Sequence, residues 1–147
     1  MFSEETARTA KKLIKKMRSR APLLVSFSGG VDSSVVAKLA FLASQSSIAV
    51  TVADQTVPKS ELEHAKKIAK EIGITHAVVK ANCMEKNFAR NDALRCYYCK
   101  KSRARTLRGV ARRFGITTIV DGINADDRTD VRPGTRAAQE EGIRSPL

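Results

Sequence analysis

The stretch Phe27-Ser28-Gly29-Gly30-Val31-Asp32-Ser33-Ser34 joins an apolar run, PLLVSF, to a helical one, VVAKLAFLA. A short apolar strand that turns on two glycines straight into a helix is the opening unit of a layered α/β fold. Gly29 and Gly30 allow backbone angles closed to other residues and a close approach by a ligand. The first amides of the following helix have no intrahelical acceptor, and the helix dipole favours an anion there. Ser28, Ser33 and Ser34 add hydroxyls, so phosphate or pyrophosphate suits the loop. No lysine stands where a Walker-type phosphate loop carries one, and Asp32 sits in the middle. A carboxylate is compatible with a bound phosphate if it caps the helix or if Mg²⁺ lies between the charges. A plain glycine turn with serine caps is the structural alternative.

The rest of the chain alternates in the same way. Ala7, Ala10, Leu13, Ile14 and Met17 recur at helical spacing over 3–19, behind Ser3, Glu4 and Glu5. Strands are expected at 22–27, 47–54, 75–80 and 116–122. Helices are expected from Asp32 to Ala43, well buried because its apolar residues are nearly continuous, and from Pro58 to a cap at Gly73. A longer helix is expected from Leu94 to Phe114, ending at Gly115. Residues 81–93 read as irregular, NADDRTDVRPG as a polar loop and TRAAQEEG as a short helix closed by Gly142. The alternation predicts a three-layer α/β/α sandwich, with a parallel twisted sheet and right-handed crossovers. One domain over 1–147 is expected. Ligands of such sheets bind beyond the carboxyl ends of the strands. Residues 28–34, 53–56 and 121–127 all fall there, and the cysteines enter from a loop near the same rim.

Charge and cysteine content narrow the partners. Twenty-seven Lys and Arg against 15 Asp and Glu leave a net charge of +12, concentrated in Lys11–Arg20 and Lys100–Arg113. Such a surface attracts nucleotides or RNA, or is simply a solvated lysine-rich helix face. Aromatic residues are too few for a single-strand stacking platform. No apolar run approaches the roughly 20 residues of a membrane span. The N-terminus lacks the apolar core of a signal peptide, so no membrane contact and a cytoplasmic location are expected. Cys83, Cys96 and Cys99 do not read as a disulfide framework. Cys96 and Cys99, spaced Cys-x-x-Cys beside Arg95, Lys100 and Lys101, suit stabilised thiolates. They are compatible with half of a zinc or iron–sulfur site, a redox pair or sulfur carriage. His64 and His76 read as ordinary residues, one on an exposed helix and one entering a strand.

The loop SGGVDSS resembles the signature of the PP-loop ATP pyrophosphatases, whose fold is the Rossmann-like adenine nucleotide alpha hydrolase fold. The segments ADQTVPKSELEHAKKIAKEIGITH, RCYYCKK and DGINADDRTDVRPGTRAAQEEGIRSPL are similar to its LarE-like (ExsB-related) branch. The resemblance implies ATP cleavage between the α- and β-phosphates, giving AMP and pyrophosphate, with Mg²⁺. In the branch a pyridinium carboxylate mononucleotide is adenylated and then receives sulfur. Members of the branch continue beyond RSPL into a region with further substrate-binding residues and a cysteine that donates sulfur or completes an iron–sulfur cluster. The expectation here is therefore the ATP-binding part without that C-terminal region. A homodimer or a complementary C-terminal subunit is the expected means of completing the site.

Carried over residue by residue, the resemblance implies that Ser26, Ser28, Gly29, Gly30, Asp32, Ser33 and Ser34 bind the nucleotide phosphates. Ala53 and Asp54 would hold adenine and ribose, partly through backbone groups. Asp121, Gly122 and Asn124 would line the nucleotide after the fourth strand, with Asp126 beside them. Asp32, Ser33 and Asp127 would serve catalysis, with Asp32 also a Mg²⁺ ligand. Arg132 would clamp a phosphate or the carboxylate of a small acceptor substrate. Cys96 and Cys99 would take zinc or an iron–sulfur cluster. Other superfamily activities stay open: a tRNA thiolase, an NAD or GMP synthase-type amidotransferase, a deazaguanine synthase, or a nucleotide-binding subunit that needs a partner.

Overall fold

The computed structural model describes residues 3–54, 57–81, 95–122 and 143–146, with backbone alone for 95–100. Helix α1 (Glu4–Arg18) leads into strand β1 (Leu23–Ser26), α2 (Val31–Ala43), β2 (Ile48–Ala53) and α3 (Lys59–Ile72). Then follow β3 (Thr75–Lys80), α4 (Arg95–Arg113) and β4 (Thr118–Val120). The Ser3 side chain accepts from the Thr6 amide and caps α1, whose first turn is acidic and last turn basic, as the dipole favours. Gly73 ends α3 in the left-handed conformation at φ 91°. The strands and helices expected within the described residues are present. The fourth strand is shorter than expected, three residues rather than seven, and 143–146 runs beside its end through a parallel bridge, Val120 to Arg144.

All strand pairs are parallel, in the order β3-β2-β1-β4. The chain steps outward from β1 to β2 to β3, then returns to lay β4 on the other side of β1. The strand order therefore reverses between β1 and β4, which is where an open α/β sheet leaves a crevice beyond its strand ends. Strand alternation divides the core. Leu23, Val25, Phe27, Ala49 and Val120 face α1, α2 and α3, while Leu24, Ile48, Val50 and Ile119 face α4. Leu24 and Val25 are inaccessible to solvent, so β1 is the strand that both faces bury.

Helix α2, expected to be well buried, is buried on one face only. Val36, Ala37, Leu39, Ala40 and Ala43 are buried, but Val31, Val35 and Leu42 are exposed. A helix on the outer layer of a sandwich needs one apolar face, and its remaining apolar residues meet solvent.

One polar chain stitches three strands. The Thr51 hydroxyl donates to the Phe27 carbonyl at 2.8 Å and lies 2.8 Å from His76 Nε2. The hydroxyl has one proton and a carbonyl only accepts, so Nε2 carries hydrogen and donates to Thr51. Burial, with the charge of Lys66 second, pushes the His76 pKa below its ordinary 6.5. Folding thus weakens proton binding, and the unfolded chain takes up more protons as pH falls through 6.5. Stability held above that pH is lost as pH falls towards the lowered folded value. Denaturant unfolding between pH 5 and 8 is expected to show this acid limb, flattened in His76→Gln.

Candidate functional site

Helix α2 begins at Val31 with Gly30 as its cap residue, and no side chain caps it. The loop hydroxyls are turned onto the loop itself. Ser34 Oγ donates to the Gly30 carbonyl at 2.6 Å, and Ser33 Oγ lies 3.3 Å from the same oxygen. Ser33 Oγ also accepts from the Ser28 amide at 3.2 Å and sits 3.0 Å from Ser28 Oγ, which accepts from the Gly30 amide at 3.2 Å. These short-range bonds hold the turn, so its anion-binding capacity rests first on backbone amides at the helix start. Asp32 is the second residue of the helix, after Val31. It is exposed on the first turn, where a carboxylate opposes the positive end of the dipole.

Two close backbone approaches fix the loop. Gly29 has φ +83°, and a Cβ on it would lie 3.0 Å from Ala65 Cα in α3. Gly122 is tighter: a Cβ there would lie 2.6 Å from the Ser33 amide nitrogen and 2.9 Å from the Asp32 carbonyl carbon. The second residue after β4 therefore rests directly on the first turn of α2. This brings two of the rim segments together, the phosphate loop and the Asp121-Gly122 pair.

The third rim segment is also braced. The Asp54 side chain is fully buried, and its Oδ2 accepts from Arg103 Nε at 2.8 Å and from Nη2 of the same guanidinium. Such a pairing offsets the cost of burying a carboxylate. The Ala53 carbonyl takes the Ala81 amide at 2.8 Å. Asp121 is buried, and its Oδ1 accepts from Ser145 Oγ at 2.6 Å. Its amide donates to the Arg144 carbonyl at 2.9 Å, so Asp121 ties 143–146 to the rim. Ser26 is half-buried at the end of β1.

The crossover sense of α4 places its first turn at the same rim, because a helix joining two parallel strands runs back against them. Cys96 and Cys99 stand on that turn of backbone, one helical turn apart. Their side chains lie outside the described residues, as do Cys83, Asn124, Asp126, Asp127, Arg132 and the helix expected at TRAAQEEG. Among the described residues, no group of three or more His, Cys, Asp or Glu side chains is arranged for a metal. No described helix is long and apolar enough to cross a membrane.

Sequence reasoning missed the partners of the rim: Ala65 behind Gly29, Arg103 on Asp54, Ser145 on Asp121, and Thr51 with His76 below Phe27. Ala65 and Ala69, one turn apart and both buried, carried a signal, since small residues let backbones approach. The other pairs join residues 24 to 49 positions apart, with no local signature.

The Gly122 contact has a direct test. Gly122→Ala forces backbone apart on both sides, a strain of about 1–3 kcal/mol, and is expected to lower Tm and weaken Mg-ATP binding at least about tenfold. Gly109→Ala, with nothing within 4 Å of the added carbon, is expected to leave binding unchanged. It should raise Tm by a few degrees, as removal of a helical glycine does. Thermal melts and calorimetry read both.

The asparagine synthase family model matches residues 8–128. An uncharacterized protein of Synechocystis is 43% identical over 126 residues, covering 84% of this chain and 47% of that protein. The pyridinium-3,5-bisthiocarboxylic acid mononucleotide synthase of Lactiplantibacillus plantarum is 29% identical over 138 residues, 92% of this chain and 50% of that enzyme. An uncharacterized protein of Methanocaldococcus jannaschii is 27% identical over the whole chain and 56% of its own length. The chain thus spans about half the length of the curated relatives it matches. Among solved structures, the NMN synthetase of Francisella tularensis superposes with a TM-score of 0.75 at 18% identity, covering 100% of this chain and 65% of that one. The glutamine-dependent NAD⁺ synthetase of Acinetobacter baumannii, solved with ADP, gives 0.73 at 19% identity over 88% of this chain and 28% of its own. With a parallel sheet, a glycine- and serine-rich loop at its switch point and a family match that spans most of its length, the chain belongs to the asparagine synthase family of the PP-loop superfamily.

Proposed function

We propose that this chain is the ATP-binding, AMP-forming PP-loop unit of a LarE-type sulfurtransferase, which adenylates a carboxylate substrate before sulfur transfer. The observation that carries the ATP reading is the uncapped start of α2 at the switch point, with Gly122 laid against Ser33. A helix start of this kind, lined by glycine and serine, accepts a polyanion and leaves its amides in place for it. The relative named a pyridinium-3,5-bisthiocarboxylic acid mononucleotide synthase supports the sulfur branch.

In this reading the loop Ser28 to Ser34 holds the β- and γ-phosphates, with Ser26 at its base. Ala53 and Asp54 border the adenosine, and Asp121, Gly122 and Asn124 border the α-phosphate side. Asp32, exposed on the first turn of α2, offers the hard oxygen donor that Mg²⁺ prefers, and the ion arriving with ATP supplies neutralisation of phosphate charge. The carboxylate acceptor, clamped by Arg132, attacks the α-phosphorus in line. The α–β bridging bond breaks, and pyrophosphate stays on the amides of the loop until it leaves. Positioning and fixed dipoles do most of this work, with Ser33 and Asp127 beside the reacting phosphates. A sulfur nucleophile then displaces AMP from the acyl adenylate. Cys96 and Cys99, on the rim end of α4, serve as sulfur carriers or as ligands of zinc or an iron–sulfur cluster.

Product analysis after incubation with Mg-ATP and a pyridinium carboxylate mononucleotide tests the reading. AMP and pyrophosphate are expected in equal amounts, reduced at least about a hundredfold in Asp32→Ala and clearly reduced in Ser33→Ala. ADP and phosphate as the products would overturn it.

A further inference from the structure

Thr51 is the single polar residue of β2, IAVTVA, and it is buried. Valine has the same shape and suits an inner parallel strand better, and a hydroxyl there is costly unless it is bonded. The bond it makes goes to the carbonyl of Phe27, the residue between the end of β1 and Ser28. Phe27 is held on three sides. Its amide donates to the Val50 carbonyl at 2.9 Å, its carbonyl accepts from Thr51, and its buried ring meets the His76 ring edge-on at 5.5 Å. His76 in turn donates to Thr51, which keeps the hydroxyl proton aimed at Phe27. The next amide in the chain, that of Ser28, is already inside the loop and bonds Ser33.

We propose that Thr51 and His76 are positioning residues for the phosphate loop. The chain His76 to Thr51 to the Phe27 carbonyl sets the direction in which the backbone leaves β1, and so aims the amides at 28–31. It touches no substrate and sits one layer below the rim. The inference rests on the reading that the loop holds the pyrophosphate end of ATP.

The test compares Thr51→Val, Thr51→Ser and His76→Gln with the unaltered chain. Binding of Mg-pyrophosphate and of adenosine is measured by calorimetry, Tm by thermal melting, and Ser28 and Gly30 amide exchange by NMR without nucleotide. Thr51→Val leaves the Phe27 carbonyl unsatisfied. It is expected to weaken pyrophosphate binding roughly five- to fiftyfold while adenosine binding stays within about twofold. Exchange at Ser28 and Gly30 should quicken in the same variant. Thr51→Ser keeps the hydroxyl and His76→Gln keeps an N–H donor, and both are expected to restore most of the affinity. Unchanged pyrophosphate binding in Thr51→Val overturns the proposal. So does equal loss of both ligands in step with Tm, which marks a merely structural role. If the unaltered chain binds neither ligand, the ATP reading fails and amide exchange alone decides: unchanged exchange in Thr51→Val overturns the positioning role, and faster exchange upholds it.

Discussion

There is no room for a side chain between residue 122 and the first turn of α2. That contact depends on β4 lying next to β1, and it sets how near the segment after β4 comes to the phosphate loop. On its other side the loop rests on α3, where Gly29 meets Ala65. A turn held between two backbone approaches keeps its amides in one arrangement before any ligand arrives. A turn fixed in this way needs little reordering to receive a ligand, which is the main advantage of fixed dipoles over solvent.

The polar groups beside this loop are bonded within the protein. Ser34 bonds Gly30, Asp54 takes Arg103, Asp121 takes Ser145, and Thr51 bonds Phe27. The Ser34 bond stays inside the loop, while the other three join residues 24 to 49 positions apart and make rim and scaffold one network. Asp54 and Arg103 matter most for the geometry between segments. They join the end of β2 to α4, the helix whose first turn carries Cys96 and Cys99. The end of β2 and the helix that carries Cys96 and Cys99 are thereby held in one frame. The buried ion pair is better read as a fixer of register than as a source of stability, since desolvation offsets most of its attraction.

Much of this was legible from residue order. The strand, the glycine turn and the helix at 23–43 announce themselves through apolar runs broken by Gly29 and Gly30. Gly73 and Gly115 stop α3 and the helix before β4 where chain stereochemistry requires a left-handed residue, at φ 91° and 68°. The extent of β4 was less legible, because ITTIVDG looks like a strand throughout. Pairing decided it: β1 offers partners to Thr118, Ile119 and Val120. The exposed Val31, Val35 and Leu42 of α2 were misread for a related reason. Apolar content reports what a helix is made of, and the number of layers above it decides what is covered.

The sequence by itself determined the local chemistry of this protein: where strands and helices begin, which turn gathers glycines and serines at a helix start, and which family it resembles. Those properties depend on neighbours within a few residues, where steric limits and hydrogen-bond geometry leave few choices. The tertiary structure alone decided which rim segments meet. It put Gly122 on Ser33, Arg103 on Asp54 and His76 behind Thr51. Those contacts follow from the return of β4 to the side of β1 and from the packing of α4 on the second face of the sheet. A long-range contact costs chain entropy that only the whole core repays, so no short stretch of residues encodes it.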